Sequence, residues 1–482
     1  MPSAAPRSAL AIRPHPHTTT AHDPPPRTLK HRPCTSYSDN DPCALAISSL
    51  GFAPVQRPRL GLSNSQEAFE RPKKRPMPTP TKTIAVVNSS GRQAASFIRV
   101  AVAVGYKVRA QLRNLDGIVA SEIASLPNVT VIVGDLFTTP KAASSSSPTL
   151  GGKAPTGVNH DLIADLYKGA QLAFINTTFW GDEVEIGKAL ADAAVTANVE
   201  HFIYSSMPNH NLHNPNWPSL PLWSCKATIE AYIRSLPTLF PNSTFLYTGI
   251  YNNNFTSLPY PLFCMELQKD GSFLWTAPFH PDAPLPWLDA EHDVGPAVLQ
   301  LIKDGVSRWG KGERIALAYE VLSPRQVCRK FEKGVGRRVR YKWDSNIEIK
   351  VKIPHGYREQ LVALEKLYII GAKNPALQPP YFGSQILEKS CPWEAMELWE
   401  GHRGMEEYAR EVFPLEEAAN GLTWMQDGEN LDDEGTEIQG GEEPEEEEDD
   451  DDDEGLIMGG GTSGPGTGGE NTPARREETW LA

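Results

Sequence analysis

Apolar and polar positions divide the chain into stretches of different texture. Residues 1–80 are rich in Pro, Ser, Thr and Arg and hold no sustained hydrophobic period, so they read as a disordered extension. From residue 81 short β-branched runs alternate with segments of helical period. The first run, Thr83–Val87, enters the turn Asn88-Ser-Ser-Gly-Arg and then a helical pattern over Gln93–Val104. Lys107–Leu112, Val129–Val133, Leu172–Ile175, His201–Tyr204 and Ser243–Tyr247 read as further strands, with helical stretches such as Glu185–Ala197 between them. Strands and helices alternating at this spacing predict an α/β fold, a Rossmann-type doubly wound parallel sheet with right-handed crossovers covering both faces.

Four segments follow from the same pattern. After the extension, residues 81–254 form the Rossmann-type domain, broken by a low-complexity Ser- and Gly-rich insertion over 141–156. From Phe255 the alternation fades into Pro-rich segments and helices, which predicts a smaller, partly helical lobe over 255–426. Ser323 reads as an N-cap with Pro324 at the first helical position, and Pro414 as the close of a helix near the folded end. Residues 427–482 form an acidic disordered tail in which Glu445–Glu454 are ten consecutive acids.

Composition changes the picture mainly through that tail. The formal charge of −14 is misleading, because 21 Asp and Glu against two Arg after residue 426 leave the rest of the chain slightly positive. Six widely spaced cysteines show no metal-ligand spacing and suit free thiols in a reducing compartment. No run of about 18 apolar residues is present to span a membrane, and no apolar core of a secretory signal. Arg7, Arg13 and a Thr-rich run have the composition of an organelle presequence, but Pro interrupts any amphipathic helix there. Arg71-Pro-Lys-Lys-Arg75 is either a nuclear import signal or a solvated charge run. Translation from Met77, six residues before the first strand, would remove everything upstream.

The first turn carries the candidate chemistry. A Rossmann turn needs small residues so that the backbone can approach a pyrophosphate held on the helix N-terminus. Asn88, Ser89, Ser90, Gly91, Arg92, Gln93 and Ala94 occupy it, and only Gly91 survives of the three expected glycines. Asn88 tolerates positive φ and Ala94 still permits close packing. The second strand ends Gln111-Leu112-Arg113-Asn114; Arg113 either meets the 2′-phosphate of NADP or is a surface arginine. Asp135 follows the third strand, where the adenine edge lies. Asn176, Thr177 and Thr178 follow the fourth, on the pyrophosphate and nicotinamide side.

Several blocks then resemble the fungal nitrogen-metabolite-repression regulators of the NmrA-like family, relatives of the short-chain dehydrogenases. They include Ile84-Ala-Val-Val-Asn88, Ala173-Phe-Ile-Asn-Thr-Thr178, Tyr204-Ser-Ser-Met-Pro208, Gly249–Phe263, Pro284–Gly295 and Met405–Pro414. The resemblance runs from about Thr81 to Met425 and leaves both tails uncovered. It implies a protein built like a dehydrogenase that works as a regulator in nucleus and cytoplasm. It implies NAD or NADP as ligand, with oxidised forms and NAD favoured, and Arg113 departs from that preference. It also implies repression through a GATA-type zinc-finger transcription factor; no basic groove or aromatic stacking platform points to direct nucleic-acid contact, and no apolar run points to a membrane.

Short-chain dehydrogenases use a Tyr-x-x-x-Lys pair, in which the tyrosine moves the proton. The matching segment here is Leu222-Trp-Ser-Cys-Lys226, so the tyrosine is a leucine and the usual mechanism is not available. Lys226 is then a ribose ligand or, as in isoflavone-reductase-like relatives, a general base of an NAD(P)H-dependent reductase. Tyr204, Ser205 and Ser206 either line the nicotinamide pocket or pack at a strand end. His292 reads as a salt-bridged surface or cap residue, and no metal cluster is evident. A basic zinc finger calls for an acidic surface with apolar anchors. Trp393–Glu417 supplies both, with Trp399, Glu406, Glu407 and Glu411 as the candidate contacts; the alternative is an ordinary amphipathic helix covering the lower lobe.

Overall fold

A computed structural model describes residues 81–138 and 157–422, apart from 180, 352 and 354. The N-terminal extension with its basic cluster, the 141–156 insertion and the acidic tail lie outside the described residues.

Seven strands form the central sheet: β1 Thr83–Val86, β2 Lys107–Leu112, β3 Val129–Val133, β4 Leu172–Ile175, β5 His201–Ser206, β6 Ser243–Thr248 and β7 Glu313–Leu317. All neighbours pair in parallel, in the order β7-β6-β5-β4-β1-β2-β3. Parallel strands need crossovers, and the helices supply them: α1 Arg92–Ala103, α2 Ile118–Ser125, α3 His160–Leu166, α4 Glu183–Thr196 and α5 Pro221–Ser235. β1 is buried on both sides, as its unbroken apolar run requires. Ile84 and Val86 join the cluster containing α1 residues Phe97 and Ile98, while Ala85 and Val87 join the one containing Leu190 of α4 and Ile229 of α5. The strand order reverses between β1 and β4, which opens a crevice at their C-terminal ends.

The expected break at Phe255 does not divide the sheet. β7 comes from beyond it, and so does α6, Ala290–Asp304, which packs along α1. Two three-stranded sheets fill the intervening sequence. One pairs Met265–Leu267, Phe273–Ala277 and Val339–Trp343; the other pairs Ile250–Tyr251, Leu285–Leu288 and Glu320–Leu322. Phe255, Trp275 and Trp287 form their aromatic core, and the two indole N–H groups donate to Leu262 O at 2.6 Å and Leu322 O at 3.1 Å. α7, Pro324–Val335, begins where Ser323 and Pro324 predict, with the Ser323 N–H donating to Gln326 Oε1 at 2.8 Å. Pro414 differs from expectation. It stands in the first turn of α10, Phe413–Ala419, after α9, Met405–Glu411, has already ended.

Two contacts hold the layers in register. At Gly295 of α6 a Cβ would lie 2.4 Å from the Ser96 carbonyl oxygen of α1, and the Gly295 N–H donates to Ser96 Oγ at 3.0 Å. Arg92, buried at the start of α1, donates to Glu291 of α6 at 2.5 Å and reaches Glu416 of α10 at 3.4 Å. Burial opposes its charge, and the two carboxylates outweigh burial and hold its pKa above the ordinary arginine value.

Gly295→Ala should therefore push α1 and α6 apart at a backbone atom that cannot rotate away, costing about 1–3 kcal/mol in urea unfolding. Arg92→Met keeps the stem and strands two carboxylates. Its expected cost is about 3 kcal/mol, the low end for a broken buried pair, because Glu291 keeps 31% of its side chain in water. A loss under ~1 kcal/mol would show that the pair does not hold the C-terminal helices down.

Candidate functional site

The turn after β1 is built by its neighbours as much as by its own residues. Asn88 adopts φ +54°, the left-handed conformation that Asn enters more readily than most residues. Gln111 on β2 fixes it: its Oε1 accepts from the Asn88 N–H at 3.1 Å and its Nε2 donates to Gly134 O at 2.9 Å. Gly91 is required by space, since a Cβ there would stand 2.7 Å from Asn88 Nδ2. The helix that follows has no side-chain cap and no acid in its first turn, so its N–H groups and dipole are open to an anion. Ser90 is half-buried in the turn, and Ala94 is fully buried against the core. Arg92 does not turn toward the crevice; its guanidinium goes to Glu291 and Glu416 instead.

Arg113 and Asp135 meet each other across the ends of β2 and β3. Arg113 Nε donates to Asp135 Oδ1 at 3.2 Å, and both side chains are nearly half exposed. A cation and an acid at this rim face the place where the adenosine ribose of a dinucleotide would lie.

Deeper in the crevice lies a cavity of about 190 Å³. Gln93, Asn176, Thr177, Thr178, Ser205 and Lys226 form its Rossmann wall. On that wall Gln93 Oε1 and Asn176 Nδ2 are buried without a hydrogen-bond partner, one acceptor and one donor left for a polar ligand. These orphaned groups, the crowded Gly91 and the uncapped helix fit the phosphates and nicotinamide ribose of a dinucleotide. Tyr204 is placed elsewhere. It is fully buried and its hydroxyl meets Thr177 Oγ1 at 2.9 Å, so it packs beneath the wall. Burial, reinforced by the charge of Glu183, pushes its pKa well above the ordinary phenol range.

Lys226 sits on α5 with three acceptors around its three N–H donors. They are Thr177 O at 2.5 Å, Asn176 Oδ1 at 3.3 Å and Glu183 Oε1 at 3.3 Å. An amine acting as general base needs a lone pair aimed at the substrate, and a nitrogen held among three oxygens presents hydrogens instead. At the vacated tyrosine position the Leu222 N–H donates to Gln360 Oε1 at 3.1 Å, and the Leu222 side chain cannot carry a proton.

Glu183, Gln111 and Gln360 are the site residues that the linear pattern did not single out. An acid in a helix's first turn is common for dipole reasons alone, so nothing local marked Glu183 as the partner of Thr177 Oγ1, at 2.7 Å, and of Lys226. Gln111 did carry a signal, an amide at the buried C-terminal end of β2.

The segment expected to meet a partner is three short helices: Trp393–Leu398, α9 and α10. Leu398, Met405 and Tyr408 are buried, so they cover the core and offer no anchorage. Trp399 is half-buried, 6.4 Å from the His292 ring, while Trp393 and Leu415 remain exposed. The acids stay outside with weak partners. Glu406 lies 3.9 Å from both Lys333 and Arg410, and Glu411 lies 3.4 Å from Arg410 and 3.9 Å from Arg403. Glu407 accepts from the Gly404 N–H at 3.3 Å and so helps start α9. His292 is held as a cap-region ion pair, its Nδ1 2.6 Å from Asp293 Oδ1. Among the described residues no group of three or more His, Cys, Asp or Glu could hold a metal ion, and no helix is long and apolar enough to cross a membrane.

Comparison with known proteins agrees with this geometry. The model of the NmrA-like family matches residues 80–409. The nitrogen metabolite repression protein nmr of Neurospora crassa is 61% identical over 370 residues, covering 76% of this chain and 75% of that one. The nitrogen metabolite repression protein nmrA of Emericella nidulans is 51% identical over 373 residues, 71% of this chain and 98% of that one. A crystal structure of Nmra, a negative transcriptional regulator, in complex with NAD superposes with a TM-score of 0.63 at 54% identity, covering 71% of this chain and 99% of the other. Its complex with NADP gives 0.62 at 53% identity over the same shares. With its Rossmann order, its single-glycine turn and this breadth of match, the chain belongs to the NmrA-like family.

Proposed function

We propose that this chain is a dinucleotide-binding negative regulator of transcription, a corepressor in nitrogen metabolite repression that binds a GATA-type zinc-finger factor and has no dehydrogenase turnover. One observation carries the non-catalytic part. The proton-moving tyrosine is Leu222, and Lys226 is engaged with Thr177, Asn176 and Glu183. What remains is a site that holds a dinucleotide without a group poised to transfer a proton. The relatives with NAD and with NADP bound support either as the ligand. The exposed Arg113–Asp135 pair is compatible with both, offering an acid for a 2′-hydroxyl and a cation for a 2′-phosphate.

The partner part rests on the names and similarity of the two fungal repression proteins and on charge. A zinc finger that neutralises DNA phosphates is basic, and Glu406, Glu407 and Glu411 give α9 a row of surface acids whose present partners are distant or weak. The Arg71–Arg75 cluster supports work in the nucleus as well as in the cytoplasm.

Two measurements test this reading. Calorimetric titration of the chain with a GATA-type zinc-finger polypeptide should give saturable binding, weakened at least tenfold by reversing charge at Glu406 and Glu411. An undiminished affinity would remove α9 from the interface. Lys226→Met should weaken NAD and NADP binding about tenfold, because it removes the charge that holds Asn176 and Thr177 in place on the cavity wall, while the wild-type chain shows no steady oxidation of NADH or NADPH. Turnover that disappears in Lys226→Met would instead make the protein a reductase.

A further inference from the structure

The cavity beside Lys226 has a second wall that the dinucleotide reading does not use. Its far side comes from the lower lobe: Phe263, Phe279, Tyr357, Gln360, Leu364 and Tyr368, closed by Trp223 and Tyr381. The helix α8, His355–Tyr368, supplies four of these, and its residues Gln360, Leu364 and Tyr368 are all buried. Phe279 and Tyr368 meet edge to face at 4.6 Å, and Trp223 and Tyr381 at 5.2 Å, so the wall is a set of rings already packed against one another.

The polar groups of this wall are all neutral, and those without partners are donors. The hydroxyls of Tyr357, Tyr368 and Tyr381 make no hydrogen bond to any described residue, although Tyr368 is 4% and Tyr381 8% exposed. Gln360, 3% exposed, uses its oxygen on the Leu222 N–H and keeps its amide hydrogens without an acceptor. Burial raises all three phenols above their ordinary value, so they stay protonated and can donate. The charged residues that line the cavity, Lys226 and Glu183, already compensate each other. These residues line the cavity, so a ligand that supplies acceptors can pair with their donors in place of water.

We propose that this aromatic chamber is a second small-molecule site, which takes a neutral, flat aromatic compound bearing a carbonyl or similar acceptor and holds it next to the bound dinucleotide without reacting with it. The inference rests on the dinucleotide reading above and extends it, because the protein would then report on two small molecules at once. The ring faces receive the aromatic body; the phenol and amide hydrogens receive its oxygen. A charged ligand is excluded, since the wall has no free ion to meet it.

Coumarin, an uncharged bicyclic lactone, is a suitable probe. NAD is titrated into the full chain first; failure of that binding would fall on the dinucleotide reading, and coumarin would then be scored on the chain alone. Coumarin should bind the NAD-saturated chain saturably, with a dissociation constant on the order of 100 µM or tighter, the range open to a ligand of its size. Leu364→Trp, which fills the chamber, should weaken coumarin at least tenfold and leave NAD affinity unchanged. Tyr368→Phe, which removes one hydroxyl and keeps the ring, should weaken it about threefold and serves as the gentler variant. Absence of saturable binding, equal binding to Leu364→Trp and wild type, or displacement of coumarin by NAD would overturn the proposal. The last result would mean that the chamber is only the slot for the nicotinamide ring.

Discussion

Arg92 stands directly after Gly91, so its backbone belongs to the nucleotide turn while its side chain belongs to the interior of the protein. There it meets Glu291 at the start of α6 and Glu416 on α10, which brings three segments distant in sequence to one buried charge. Arg403 plays the matching part on the other side of the α6 N-terminus, with its guanidinium 3.1 Å from Asp289 and its N–H donating to Asp293 at 3.1 Å. The sequence Asp289-Ala-Glu-His-Asp293 would bury a concentration of negative charge if these two arginines did not answer it. Because each partner is needed, the C-terminal helices cannot settle anywhere else on the surface. They fix α7 in turn, since Gly334 of α7 admits the Ala409 and Glu406 backbone region of α9 only for want of a Cβ. The lower lobe and the nucleotide turn are thus one mechanical unit.

This coupling explains which features could be read along the sequence and which could not. The strands were legible because a parallel sheet buried on both faces demands near-continuous apolar runs, and Thr83–Val86 and Leu172–Ile175 are such runs. Asn88 was legible as a residue suited to positive φ, and it adopts φ +54°. β7 was missed although Arg314-Ile-Ala-Leu-Ala318 is an apolar run, because the whole lower lobe intervenes between it and β6. Arg92 was read from its place in the turn as a dinucleotide contact; the acids that draw it away lie 199 and 324 residues further on. Local pattern carries no information about partners at that distance. The apolar residues of α9 had the same ambiguity, since a stripe of Met405 and Tyr408 has one pattern whether it meets a core or another protein.

The site itself shows a division between holding and reacting. Lys226, Glu183, Thr177 and Tyr204 form a buried network joined by hydrogen bonds and an ion pair, and such a network keeps a fixed geometry. Proton transfer needs the opposite, a donor or acceptor whose partner is the substrate. The leucine at position 222 removes the side chain that would have met that need, and its backbone N–H is taken by Gln360 from the lower lobe. The lower lobe therefore supplies an amide and aromatic rings to the cavity beside Lys226. On the proposed reading the site binds and does not react, which lets ligand occupancy persist. Persistence is what a regulator requires of its ligand, because the signal is the bound state and each turnover would erase it.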